Sequence, residues 1–210
     1  MRQVDAVRIF GEWSAKGRDV FALDDLRMLF RNDKPAAFNE GLRRLVSSGV
    51  LIRAANGVYV NAFSGIPRID ILERIAAAFR RGEYTYVSLE TALSRHGLIS
   101  QVPIDHLTLM TTGSKAMLRT GWGTIEFTHT ARPVLDILAS TTNPGGALRL
   151  ATAKTALRDL RRVGRNLHLV DPGELEEAMQ QDGTREVSLP RPEGRGFPVV
   201  VSSIEPLPTT

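Results

Sequence analysis

The chain has 210 residues, of which 42% are hydrophobic and 24% are charged, a composition typical of a globular protein with one or two domains. It contains no cysteine, which excludes disulfides and thiolate chemistry and fits the reducing cytoplasm, where we expect the protein. No apolar run approaches the ~20 residues that cross a bilayer, and the acidic Asp5 interrupts the N-terminus where a signal peptide would be apolar. We therefore expect no membrane partner.

The positive charge of the chain is unevenly distributed. The whole sequence carries a net charge of +4, which by itself is too small to indicate a nucleic-acid partner. Residues 1–66, however, hold 10 basic and 7 acidic groups, and residues 151–170 hold 5 basic groups and 1 acidic group. These two segments are the candidate polyanion-binding surfaces, and an acidic segment, residues 171–186, follows the second of them.

The first third of the chain is predicted to hold three short helices. Apolar residues repeat with helical spacing near the N-terminus, which predicts a helix over about 3–15. A second helix is expected to open at Asp24. A third is expected after Asp33, a predicted N-cap, with Pro35 in the first turn, and it runs to Ser47 or one residue further.

A β-hairpin is predicted directly after the third helix. Two extended segments, residues 50–53 and 58–60, flank the Asn-Gly turn signal at positions 56 and 57. Three helices followed by a hairpin predict a winged helix-turn-helix over residues 1–63, with a linker at 64–68.

The third helix is the predicted DNA-reading element, because the second helix of a helix-turn-helix enters the major groove. Its apolar stripe, from Phe38 to Leu45, faces inward, so the opposite face points outward. The Arg43 guanidinium matches guanine O6 and N7 or a phosphate, and the Asn39 amide matches adenine. The predicted DNA contacts in the turn, the helix and the hairpin are Arg31, Lys34, Ala36, Asn39, Arg43, Arg44, Ser47, Arg53 and Asn56.

Two alternatives to DNA binding stay open at this point. Arginines on an exposed helix face are commonly a solvated surface, and winged helices also serve as protein-interaction modules. The carboxylate of Glu40 lies on the same face as Arg43 and opposes phosphate binding.

Beyond the linker the pattern is mixed, so we expect an α+β protein in which the winged helix-turn-helix is followed by a mixed α/β domain over residues 69–189. Ser88 is a predicted helix cap, and Gly97 is the predicted end of that helix. A Pro-rich tail is expected over 190–210. The predicted elements are helices over about 69–81, 88–96, 151–168 and 174–181, strands over 104–111, 124–129 and 199–201, and a hairpin-type turn at 121–123.

The helix predicted over 151–168 carries cations on one side. Like charges at this spacing repel one another by a few tenths of a kcal/mol per pair, which is easier to understand if something anionic binds them. The candidates are DNA that flanks an operator, RNA, or an acidic partner surface; the alternative is that residues 171–186 fold back and neutralise the helix. The residues of this second candidate surface are Lys154, Arg158, Arg161, Arg162 and Arg165.

Signals for catalysis, metals and cofactors are poor. The four histidines, at positions 96, 106, 129 and 168, show no ligand spacing, and neither a Walker A loop nor a Gly-x-Ser-x-Gly elbow occurs. We therefore expect no catalytic residues, no metal and no cofactor. An enzyme whose site is assembled from scattered residues remains a rival, which a deep pocket with paired carboxylates and a histidine would favour.

The middle of the chain resembles a known family. Residues 86–99, YVSLETALSRHGLI, resemble the YxSxxSALxxHGLI stretch of AbiEi-family antitoxins, which belong to abortive-infection type IV toxin–antitoxin systems. Residues 107–112 and 123–129 resemble the next two strands of that family. Residues 152–160 are similar to its TPEKALLDL helix, although Lys154 and Arg158 replace a glutamate and a leucine of that pattern.

The resemblance implies an antitoxin with two roles. The N-terminal domain would bind inverted repeats in its own promoter and repress a two-gene operon. The C-terminal domain would counteract a cognate nucleotidyltransferase-like toxin, with direct contact to the toxin left open. A rival within the same fold is a stand-alone winged-helix regulator whose second domain senses a ligand or oligomerises.

Overall fold

The computed structural model describes residues 2–99 and 105–170. The predicted helix at 174–181, the predicted strand at 199–201, the Pro-rich tail and the acidic segment 171–186 lie outside these residues. The described part is an α+β structure, as predicted, with two β-sheets. Its elements in chain order are α1 (Gln3–Ser14), β1 (Val20–Ala22), α2 (Leu23–Leu29), α3 (Pro35–Ser47), β2 (Leu51–Ala55), β3 (Val58–Asn61), α4 (Arg68–Phe79), β4 (Thr85–Val87), α5 (Leu89–Arg95), β5 (His106–Thr111), β6 (Ala116–Thr120), β7 (Gly123–His129), α6 (Val134–Ala139), β8 (Thr141–Thr142), β9 (Arg149–Ala151), α7 (Ala153–Val163) and a 3-10 turn (Leu167–Leu169).

The three N-terminal helices and the hairpin agree with the predicted elements. One prediction about the start of α3 is wrong: the N-cap residue is Lys34, in an extended conformation, and not Asp33. The helix begins one residue later than a cap at Asp33 requires, because Pro35 occupies the first helical position, where its missing N–H costs nothing.

A strand that the sequence did not predict completes the first sheet. The short segment β1 pairs antiparallel with β3, and β2 pairs with β3 on the other side, so the strand order is β1-β3-β2. The pairing of β2 with β3 has a register shift between Arg53 and Ala55.

This three-stranded sheet lies between two apolar clusters. On one face, Phe21, Leu51 and Tyr59 pack in one cluster with buried residues of α1, α2 and α3. On the other face, Val58 and Val60 pack in a second cluster with buried residues of α4. The sheet therefore joins the N-terminal helices to the rest of the molecule instead of standing apart from it.

The second sheet has six strands in the order β6-β7-β5-β4-β9-β8. Strands β5 and β7, both predicted, pair in parallel, and the predicted turn at 121–123 joins β6 to β7 as a hairpin. The short strands β4, β6, β8 and β9 and the helix α6 were not predicted. They are two to six residues long, which is too short for a reliable periodic signal.

Helices cover both faces of this sheet. Phe79 of α4 stacks near Phe127 of β7, with ring centroids 5.7 Å apart. From the opposite face, the hydroxyl of Tyr86 in β4 donates to Asp159 of α7 over 3.0 Å, and α5 packs beside α7. The small sheet, α4 and the large sheet thus lie between α3 on one side of the molecule and α7 on the other.

The prediction of one helix over 151–168 is wrong at both ends. Residue 151 belongs to β9, and α7 stops at Val163 because Gly164 adopts a left-handed conformation with φ +75°. Thr152 caps the N-terminus by accepting a bond from the Thr155 N–H. Arg165, predicted on the basic side of this helix, lies beyond its end.

Candidate nucleic-acid interface

The outward face of α3 is exposed along its whole length. Phe38, Leu42 and Leu45 are buried against the first sheet, as predicted. All nine side chains predicted to contact DNA are exposed in the folded chain. They are Arg31, Lys34, Ala36, Asn39, Arg43, Arg44, Ser47, Arg53 and Asn56. The face is therefore open to solvent along the length of α3.

Two contacts within α3 hold this face in place. Arg43 Nη2 lies 2.8 Å from Glu40 Oε2, an ion pair one turn apart in which the side chains are 75% and 49% exposed. The hydroxyl of Ser47 donates to the Arg44 carbonyl over 3.0 Å. Exposed ion pairs contribute ~0–1 kcal/mol, so an arriving phosphate can compete with Glu40 for the guanidinium.

The hairpin is anchored beside the start of α2. The N–H of Leu23 donates to the Gly57 carbonyl over 2.7 Å, and Gly57 adopts φ +72°, which its turn position requires. At the tip, Arg53 Nη2 donates to Asn56 Oδ1 over 2.8 Å. This bond orients the exposed guanidinium of Arg53 along the hairpin.

A second basic surface lies on α7. Every exposed residue of this helix is a cation, and every other residue of it is buried or partly buried. Arg158 Nη2 lies 2.9 Å from Asp159 Oδ1, and Arg162 Nη2 donates to the His129 carbonyl over 2.8 Å. The surface consists of Lys154, Arg158, Arg161 and Arg162, and we refer to these four residues as the α7 cation face.

Arg165, predicted on the same surface, is instead held by two carboxylates. Its Nε lies 2.9 Å from Glu90 Oε1 and its Nη1 lies 2.6 Å from Glu126 Oε1, while Asn166 also donates to Glu90 over 2.8 Å. The guanidinium is thereby neutralised by groups on α5 and β7. The sequence analysis grouped Arg165 with the cations of α7, because the carboxylates that pair with it are far away in sequence.

The ionisation of Glu90 and Arg165 follows from the same contacts. Burial opposes ionisation of Glu90, but the hydrogen bonds from Arg165 and Asn166 outweigh it and lower the pKa of this carboxyl. Burial likewise opposes the charge of Arg165, but Glu126 and Glu90 together raise its pKa. Glu90 and Arg165 are therefore charged together at neutral pH.

A buried polar network links the two segments that resemble the AbiEi family. Asp159 Oδ2 accepts hydrogen bonds from the hydroxyls of Tyr86, over 3.0 Å, and Ser88, over 2.9 Å. Ser88 stands at the predicted cap position of α5 but makes no capping bond, so its predicted role is wrong. Burial and the Asp159 charge raise the pKa of Tyr86 to about 12.

Three of the four histidines have polar contacts in the described part of the chain. His96 and His129 bond to the carbonyls of Ala151 and Gly113, and His106 lies 3.5 Å from Glu126. A group of three acidic or histidine side chains able to hold a metal does not occur within residues 2–99 and 105–170. A cavity of about 360 Å³ beside α1 is lined by Val7, Phe10, Gly11, Ser14, Ala15, Val50, Asn61 and Phe63.

The chain is an α+β protein. Its N-terminal third presents the outward face of α3, with Arg43 and Arg44, and the β2–β3 hairpin. A family model described as "Family of unknown function (DUF6088)" matches residues 15–143, and the chain belongs to this family. No curated protein matches the chain. The matched range includes α3 and the hairpin and ends before α7. Among the described residues, no helix is long and apolar enough to cross a membrane.

Proposed function

We propose that the protein is a DNA-binding repressor with an N-terminal winged helix, and that it serves as the antitoxin of a toxin–antitoxin pair. The observation that carries the first part is the common exposure of nine predicted contact residues on α3, the turn before it and the β2–β3 hairpin. The element order of helix, strand, two helices and hairpin supports a winged helix, as does the strand order β1-β3-β2.

The charge on this surface suits a phosphate backbone with base contacts at its centre. Arg31 and Lys34 precede α3, where phosphate contact is expected, whereas Asn39 and Arg43 lie on the face that would enter the groove. Two copies on an inverted repeat would each place one α3 in a major groove. Affinity would fall steeply with salt because bound phosphates release counterions.

The antitoxin part of the proposal is supported by the AbiEi resemblance in residues 86–99 and 152–160. The partner is then a nucleotidyltransferase-like toxin whose gene lies beside this one. The C-terminal part would counteract that toxin, and α3 would bind the promoter and repress the operon.

Co-expression with the neighbouring gene tests both roles in the full chain. Growth is scored together with a reporter under the protein's own promoter, for the wild type, for Arg43→Ala/Arg44→Ala and for the control Arg8→Ala on α1. We expect the double variant to lose repression but to rescue growth, and the control to retain both. Repression without rescue by the wild type would leave a stand-alone regulator, and repression by the double variant would contradict a role for α3.

A sharper variant exploits the ion pair within α3. Glu40→Gln removes a negative charge from the face and releases Arg43 from its contact. We expect tighter repression than in the wild type, because the Arg43 guanidinium no longer has to leave the Glu40 carboxylate before it binds a phosphate. Weaker repression would show that Glu40 orients Arg43 for its task.

A further inference from the structure

The α7 cation face differs from an ordinary solvated helix surface in its composition. Four residues of α7 are exposed, and all four are cations. The only acid in this helix, Asp159, is 1% exposed and points inward. A solvated face normally mixes both signs, because like charges at these spacings repel one another. The ion pair between Arg158 and Asp159 offsets one of the four charges, and an anionic partner would relieve the repulsion among the others.

Two of the four cations are oriented before any partner arrives. The buried carboxylate of Asp159 holds Arg158 at 2.9 Å, and the same carboxylate is fixed by Tyr86 and Ser88 from the sheet below. The carbonyl of His129 holds Arg162 at 2.8 Å. Guanidinium groups oriented in this way lose less freedom on binding an anion than free side chains do.

The composition of the face also indicates which macromolecule fits it. Protein–protein interfaces depend on apolar and aromatic anchors at their centre. The exposed part of α7 offers no apolar side chain, since Leu157 and Leu160 are buried. A phosphodiester backbone requires only a row of cations, and this row spans nine residues, from Lys154 to Arg162, or about 12 Å of helix.

We propose that the α7 cation face is a second nucleic-acid site, which binds the phosphodiester backbone of an RNA or DNA segment other than the one on α3. The two sites lie on opposite sides of the molecule, because the first sheet, α4 and the second sheet separate α3 from α7. Both sites can therefore be occupied at the same time. Its place as a second site rests on the proposed binding of DNA by α3, whereas backbone binding by α7 is tested separately.

The test uses the full chain and two labelled probes of one arbitrary sequence, a 20-base-pair RNA duplex and a 20-base-pair DNA duplex. Binding is followed by fluorescence anisotropy over a range of salt concentrations. For Arg158→Gln/Arg161→Gln/Arg162→Gln we expect at least a tenfold loss of affinity for the preferred probe. The slope of log K against log salt should fall by about 2 to 3, since each lost phosphate contact contributes ~0.7–0.9. The probe that binds more tightly identifies the natural source of the backbone.

A second variant guards against a folding defect, since Arg158 and Arg162 contact the core network and the sheet. Lys154→Gln/Arg161→Gln leaves both of those contacts intact and should still weaken binding several-fold. The charge-matched control, Arg2→Gln/Arg8→Gln at the N-terminal end of the chain, should bind as the wild type does. Wild-type affinity in the triple and the double variant would overturn the proposal, as would an equal loss in the control.

Simultaneous occupancy gives a further readout. Protein saturated with DNA from upstream of its own gene should still bind the labelled probe with unchanged affinity. Full displacement of the probe by that DNA would overturn the second site, because it would place both ligands on one surface. Loss of upstream-DNA binding in Arg43→Ala/Arg44→Ala with retained probe binding would leave both proposals standing.

Discussion

The hydroxyl of Ser88 donates a 2.9 Å hydrogen bond to Asp159, 71 residues further along the chain. Tyr86 donates to the same carboxylate oxygen from two residues before Ser88. Asp159 is 1% exposed, and both hydroxyl-bearing residues are fully buried. One buried carboxylate thus fastens α7 to the end of β4 and the start of α5.

Removal of this carboxylate should destabilise the fold. In Asp159→Ala, the hydroxyls of Tyr86 and Ser88 lose their acceptor inside the core, and each unsatisfied group costs about 1–3 kcal/mol. We expect the free energy of unfolding in urea to fall by about 2–5 kcal/mol. Asp159→Asn, which keeps an acceptor oxygen, should lose less, and Asp5→Ala, on the surface, should lose under about 0.5 kcal/mol. Equal stability of Asp159→Ala and the wild type would show that the network is not needed.

Tyr86 should make the protein sensitive to alkali. Its pKa is raised to about 12 by burial and by Asp159, against about 10 in an unfolded chain. The folded state therefore holds the phenol proton more tightly, so this group's contribution is complete below pH 10 and is lost as the pH rises toward 12. We expect Tyr86→Phe to show a shallower fall in unfolding free energy between pH 10 and 12 than the wild type. Parallel curves for the two proteins would contradict the assignment.

Glu90 should make the stability of the protein sensitive to acid. Its pKa is lowered because the bonds from Arg165 and Asn166 outweigh burial, so its contribution is present above the unfolded value of about 4.3 and is lost as the pH falls through the folded value. We expect Glu90→Gln to be less stable than the wild type at pH 7, with the difference shrinking below pH 4. A difference that stays constant from pH 7 to pH 3 would show that the charge of Glu90 is irrelevant.

The N-terminal part should not fold well alone. Val58 and Val60, both under 3% exposed, face α4 and would be bared to water in a fragment of residues 1–66. The bidentate pair between Asp25 and Arg81, at 2.9 and 2.6 Å, would be lost as well. We expect this fragment to aggregate on size-exclusion chromatography at concentrations where the full chain does not.

A matched fragment separates the two causes of that instability. Val58→Thr/Val60→Thr in residues 1–66 lowers the exposed apolar area, while the ion pair is absent from both fragments, and the variant should remain soluble longer. A wild-type fragment that unfolds at the same temperature as the full chain would contradict the shared role of the first sheet.

The elements that the sequence predicted are those with a local signal. The helices α1 and α3 carry an apolar stripe over 12 and 13 residues, and the hairpin carries an Asn-Gly turn between apolar strands. The apolar residues of α3 predicted its buried face, and the exposed face could then be predicted as the opposite one, because helical spacing determines both. Short strands such as β8, with two residues, carry no such signal.

Contacts across the fold were beyond the reach of sequence patterns. The long-range partners of Asp159 and Arg165 are 39 to 75 residues away, and only the folded sheet brings them together. Ser88 resembled a helix cap because its sequence context fits one, yet α5 begins with Leu89 at φ +58°. A leucine in this left-handed region costs about 1–2 kcal/mol, and burial of Leu89 together with the Ser88–Asp159 bond holds it there.

The affinity of the full chain for DNA from upstream of its own gene tests the central claim most directly. Equilibrium binding would be measured by fluorescence anisotropy for the wild type, Arg43→Ala, Arg44→Ala and the control Arg8→Ala, which lies on α1 in a comparable exposed ion pair. We predict that each α3 variant loses about 1–3 kcal/mol, or about 5- to 150-fold in affinity, while the control binds as the wild type does. Unchanged affinity in both α3 variants would contradict the account and would remove α3 from the interface.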